Sequence, residues 1–215
     1  MEENQNPSPM AESLASSVPE PLRPAFEFLL KNIKPIVIGL AAILVITFAT
    51  GLYSTIQSKR TASANDDLGV ILASTQGADK IAKLEAFLPE APSGLAKSVI
   101  TELAYTCMQQ KDYSKAEKYW NDLAAQSEQM NVVAKIGAAK CQMLAGKSAE
   151  AVKSLEALQA SAPEAYKNIL ARELAEAAQL AGDKELAIEQ FEALLANSEP
   201  QEKQYIEYRI RLLKK

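Results

Sequence analysis

Histidine is absent from this 215-residue chain, tryptophan occurs once and cysteine twice. The missing histidine removes the commonest general base, the usual proton shuttle of a nucleophilic triad and the commonest metal ligand. Cys107 and Cys141 form neither a CxxC pair nor a disulfide framework. Basic clusters are missing too, and the formal charge is −4, so nucleic acid finds little electrostatic footing. Gly146-Lys147-Ser148 ends like a phosphate-binding loop, but Cys141 stands where that loop needs its first glycine. Acidic side chains are dispersed; Glu102 with Tyr105, and Glu173 with Glu176, have helical spacing and read as solvated faces rather than acid–base dyads. The expectation is a non-enzymatic protein with no cofactor, no metal, no nucleic-acid partner and no small-molecule substrate.

What the chain does have is one long apolar run. Pro35 to Ser58 carries no charge over 24 residues, and Lys34 and Lys59 close it. At about 1.5 Å per residue it reaches roughly 36 Å, enough for a bilayer core of roughly 30 Å. Its apolar residues lie all round the helix, as lipid solvation requires. The run is longer than the apolar region of a signal peptide and a leader precedes it, although Ala62-Ser63-Ala64 looks like a small-residue cleavage site. Residues 35–58 are therefore expected to form a retained single-pass membrane anchor. Tyr53 suits the far interface, and Thr47 with Gly51 has the spacing of small-residue helix packing. Arg23, Lys31 and Lys34 precede the span while Lys59 and Arg60 follow it. That is a slight bias toward a cytoplasmic N-terminus.

Residues 1–20 are rich in Glu, Asn, Ser and Pro and read as a disordered tail. Residues 21–34 place Phe26, Leu29, Leu30 and Ile33 at helical spacing. They read either as an amphipathic segment on the membrane surface or as an extension of the membrane helix. Pro35 marks a kink or a start.

Beyond the anchor the pattern is helical and repeats. Three segments align, Ile100 to Leu123, Lys135 to Leu158 and Ala171 to Leu195. Each offers a first helix, a short break (Lys111-Asp112, Ala145-Gly146, Ala181-Gly182-Asp183) and a second helix. Each second helix opens on a small residue, Ala116, Ala151 or Ala187, followed four positions on by Trp120, Leu155 or Phe191. Ala104, Ala139 and Ala175 are the small residues of the first helices. This pattern, repeating every 35 and 36 residues, resembles the tetratricopeptide repeat. The expected fold is all-α: one transmembrane helix, then a solenoid of antiparallel helix pairs. Its divisions are a degenerate first repeat over residues 59–94, with Ala82 in register with Ala116, three repeats over residues 95–200 and a polar-backed capping helix over residues 201–215. Cys107 and Cys141 fall on adjacent first helices; in an oxidising compartment they could pair, but the favoured reading is core, because a bridge needs close Cα atoms and neighbouring helices usually stand about 8–10 Å apart.

In arrays of this kind the first helices line a concave face that takes a peptide or a partner's helix. The register places Thr101, Tyr105, Met108 and Gln109 there, then Ile136, Lys140 and Met143, then Arg172, Glu176 and Gln179. Tyr and Met supply adaptable contact, while Lys140 and Arg172 are suited to a carboxylate. The layout as a whole, and above all LARELAEAAQLAGDKELAIEQFEALL and the tail IEYRIRLLKK, resembles the family of the ancillary SecYEG translocon subunit (YfgM-like). That resemblance implies a bacterial inner-membrane protein with a cytoplasmic N-terminus and periplasmic repeats. Its implied partners are translocon subunits and periplasmic chaperones, and its implied task is assisting newly exported proteins; membrane lipid is the partner expected of the anchor itself. A scaffold for another envelope assembly, such as a pilus or cell-division complex, is the alternative.

Overall fold

The computed structural model describes Pro19, Phe28, Leu29 and residues 31–215. The tail at 1–20 and most of the segment at 21–34 therefore lie outside the described residues. Among the described residues nine α-helices follow one another and there is no strand. They are α1 (Ile33–Ser74), α2 (Gly77–Phe87), α3 (Ser93–Gln109), α4 (Tyr113–Gln126), α5 (Asn131–Leu144), α6 (Ser148–Gln159), α7 (Lys167–Ala181), α8 (Lys184–Asn197) and α9 (Pro200–Leu213). The chain divides into two compact units, residues 1–60 and 61–215.

In the first unit, α1 carries the apolar run and is long and apolar enough to cross a membrane, with a mean hydropathy of 2.4 and none of that window buried. Three threonine hydroxyls in the apolar run are satisfied within the helix. Thr47 donates to the Ile43 carbonyl at 3.0 Å, Thr50 to Ile46 at 2.9 Å and Thr55 to Gly51 at 2.9 Å. Such back-bonding leaves those polar groups with nothing to ask of lipid. Pro35 sits in the first turn of the helix and does not break it, because a first-turn residue needs no amide donor.

The second unit is the solenoid. Its helices pack in chain order, α3 on α4, α4 on α5, α5 on α6 and so on to α9, with a further contact between the first helices α5 and α7. The turns inside the three full pairs are one device used three times. After α3, α5 and α7 a residue in the left-handed region, Lys111 at φ 61°, Gly146 at 78° or Gly182 at 84°, reverses the chain. The next amide then bonds back five residues: Asp112 to Cys107, Lys147 to Gln142 and Asp183 to Ala178, each at 2.9 Å. This closes the last carbonyls of the first helix. Asp112 and Asp183 then cap the following helix, accepting from the Lys115 amide at 3.1 Å and the Leu186 amide at 3.0 Å.

The small–large pairs do what their spacing predicts. Ala116, Ala151 and Ala187 are fully buried, as are Leu155 and Phe191 within two per cent, and Trp120 nearly so. Alanine lets the paired helices approach, and the large residue one turn on fills the gap to the next pair. The upstream pair departs from this register. Ala82 is exposed, and Ile81 and Leu84 are the buried residues of α2, packed with Leu68. Branched side chains rather than a close alanine contact join this pair to α3.

α9 closes the array. Ile206, Ile210 and Leu213 are buried against Phe191 and Leu194. They lie 36 positions after Leu170, Leu174 and Ala177, which pack back onto the preceding repeat in the same way. Ala171, Ala175 and Ala178, which receive α8, are replaced in α9 by exposed Glu207, Arg211 and Lys214. No further helix can dock on such a surface without desolvating charge.

Candidate functional site

The residues the register assigned to the first-helix face come to different fates. Tyr105 is exposed at 53% and stands edge-on to Trp120, ring centres 5.3 Å apart at 79°. Met108 is half-buried, and its Sδ accepts the Trp120 indole N–H at 3.4 Å. One buried tryptophan thus contacts both residues. It in turn lies flat against Gly137, where a Cβ would come within 2.6 Å of the indole. Thr101 is half-buried with its hydroxyl turned back to the Lys97 carbonyl at 2.8 Å, and Gln109 is exposed. Ile136 is buried and Met143 half-buried, both packed in the core cluster of the second and third repeats.

The cations are already paired. Lys140 meets Glu173 at 2.7 Å, and Arg172 meets Glu202 of α9. Gln179 accepts from Arg209 at 2.6 Å, and the same guanidinium bonds Tyr205 and lies over the Phe191 ring at 5.0 Å. Glu173 corrects the reading of a solvated acidic face. It is only 5% exposed, and its Oε2 has no hydrogen-bond partner among the described residues. Its helical neighbour Glu176 is half-buried and makes no ion pair among the described residues. These bridges run from one first helix to the next: α5 to α7, then α7 to α9.

Of the most exposed apolar part of this face the sequence reading named Tyr105 alone. Beyond Leu72, the large apolar side chains exposed among the described residues are Tyr105, Val133, Leu144, Ile169, Leu180, Tyr205, Tyr208 and Leu212. All lie on α3, α5, α7 or α9, and none on the second helices α4, α6 and α8. They also hold register: Val133, Ile169 and Tyr205 are spaced by 36, as are Leu144 and Leu180. That fixed spacing is the signal that could have found them.

A cleft of about 260 Å³ lies elsewhere, between α4, α5 and α6, lined by Asn121, Lys135, Gln142 and Ser154 over alanines. Gln142 is held in place there, donating to Glu117 at 2.7 Å and accepting from Ser154 at 3.2 Å. Cys107 and Cys141 are both free and fully buried. Burial pushes each thiol up to about 11, and Asp112 adds to the effect on Cys107. Tyr119 is held well above the usual tyrosine range by burial and by the 2.6 Å hydrogen bond it donates to Glu85.

Comparison with protein families matches residues 27–215 to the tetratricopeptide repeat-like domain. The chain belongs to that family. The match takes in the apolar helix and every repeat through the final lysine. Neither the curated proteins nor the solved structures returned a match. Membership in a tetratricopeptide repeat-like family makes the solenoid a protein-interaction scaffold in class, and the face described above is where its exposed apolar surface is gathered.

Proposed function

We propose that this tetratricopeptide repeat-like chain is a membrane-anchored scaffold that binds proteins near the exit of the Sec translocon. In this reading α1 holds the chain in the bacterial inner membrane, its N-terminus in the cytoplasm and its repeats in the periplasm. The repeats take translocon subunits, periplasmic chaperones or newly exported proteins on the first-helix face. The observation that carries the binding role is that, beyond Leu72, the exposed large apolar side chains among the described residues all lie on α3, α5, α7 and α9; exposed apolar surface gathered on one side of a folded domain marks an interaction site. The translocon rests on the sequence resemblance alone. Tethering suits such a role, because it raises the effective concentration of a weak binding face toward partners in the same membrane.

Two measurements test it. An alkaline phosphatase reporter fused after Lys215 is expected to be active; activity of a cytoplasm-specific reporter alone overturns the orientation. A photo-crosslinking residue at Tyr105 is expected to capture translocon or chaperone components. Capture of a pilus or division protein instead supports a scaffold for another envelope assembly.

A further inference from the structure

We infer that the first-helix face is built for an extended, apolar, non-acidic polypeptide segment, and that the C-terminal helix α9 is one wall of that site rather than only a cap. This deepens the scaffold reading and rests on it.

The argument begins with the charges. Lys140 and Arg172 have their carboxylates within the fold, Glu173 and Glu202, and Arg209 is held by Gln179 and Tyr205. A ligand carboxylate would have to displace these partners, and drawing Lys140 away would strand the buried Glu173. The half-buried charge on the face without an ion pair among the described residues is the Glu176 carboxylate, which repels an acidic ligand. What stays available on α5, α7 and α9 is apolar. One row runs Val133, Ile169, Tyr205 and a second runs Leu144, Leu180, all exposed. Eleven positions separate Val133 from Leu144, as they do Ile169 from Leu180, so the rows lie roughly 16 Å apart along the helices. On α9, Tyr208 and Leu212 occupy the register positions of Arg172 and Glu176. The charged middle of the face thus gives way to aromatic and aliphatic surface at its C-terminal end.

The spacing chooses the backbone. Adjacent packed helices stand about 8–10 Å apart. An extended chain of the polyproline II kind has three residues per turn and advances about 3.1 Å per residue, so every third side chain returns to the same face about 9 Å on and meets successive positions in a row. A non-native or newly threaded segment has that form.

The test uses the full chain in phospholipid nanodiscs and three fluorescent peptides: an uncharged flexible one with leucine at every third position, the same peptide with glutamate spacers, and a helical one with leucine at every seventh. Anisotropy is read at low and high salt. The flexible uncharged peptide is expected to bind best, with little salt dependence. Ile169→Ser, and separately Tyr208→Ser with Leu212→Ser, are each expected to weaken it roughly tenfold. All of these side chains are exposed, and circular dichroism confirms that each variant is folded. Equal binding of the acidic peptide, preference for the helical one, or indifference to the α9 variant overturns the inference. If no peptide binds yet a crosslinker at Ile169 captures a protein in membranes, the ligand class falls and the scaffold stands. If Ile169 and Tyr105 both capture nothing, the scaffold reading falls as well.

Discussion

Gly137 and Lys111 show how much single residues decide here. A methyl group on Gly137 would press into a rigid indole that has no room to move, since Trp120 is itself nearly buried. Gly137→Ala is expected to lower stability by about 1–3 kcal/mol, read by denaturant unfolding with Trp120 fluorescence as the probe; unchanged stability would mean that the indole has another place to go. Lys111 is the opposite case. It holds φ 61° where the two equivalent turns use glycine. A non-glycine residue there carries a penalty of about 1–2 kcal/mol, partly offset by its smaller backbone entropy loss. Lys111→Gly is therefore expected to raise stability by about 0.5–1 kcal/mol, and a lower denaturation midpoint would refute this account of the turn. Both turns and small–large pairs were legible in the sequence because each is a local rule. Glycine at the reversal and alanine four before an aromatic need no knowledge of distant partners. Glu173 was not legible, because its ion-pair partner is Lys140, a whole helix pair away.

Helices in this array are joined by bridges as well as by their cores. The Lys140–Glu173 pair ties α5 to α7 with one half-exposed and one buried partner. Lys140→Met is expected to cost about 2 kcal/mol, less than the ~3–5 kcal/mol of a fully buried pair because water still reaches the ammonium side. Adding Glu173→Leu should recover most of that loss. A double variant no better than the single one would show that the cost lies in packing and not in the stranded charge. The same element-level view explains what the register reading of the face missed. Apolar residues on a first helix look alike in sequence whether they point into the core or away from it. Ile136 is buried while Val133, one turn earlier, is exposed. α9 was read as a lid for the end of the core, which its Ile206, Ile210 and Leu213 are, while Tyr205, Tyr208 and Leu212 on the same helix contribute to the open face. A wheel drawn on α9 alone shows two apolar stripes and cannot say which of them meets α8.

For the molecule as a whole, alkali should be the damaging direction of pH. Cys107 and Cys141 titrate near 11 when folded, above the unfolded value of 9.0, and Tyr119 is raised as well. Folding favours the protonated forms. Their contribution is therefore complete below about pH 9 and declines toward pH 11, by on the order of 1.4 kcal/mol per pH unit for each titrating group. Unfolding midpoints measured across that range should fall, and should fall less steeply in Cys107→Ala with Cys141→Ala, where only Tyr119 remains of the three. An identical slope in the variant would remove the thiols from the account.

The mixed charges on the outer side of α9 have one more consequence, best put in the language of polymers. The three full repeats join through similar surfaces, so an end left apolar would offer a docking site for another helix. Two copies could then join tail to head and continue. Glu207, Arg211 and Lys214 act as a chain terminator. If copies share the plane of one bilayer, as proposed above, such a terminus would keep a scaffold from becoming a filament.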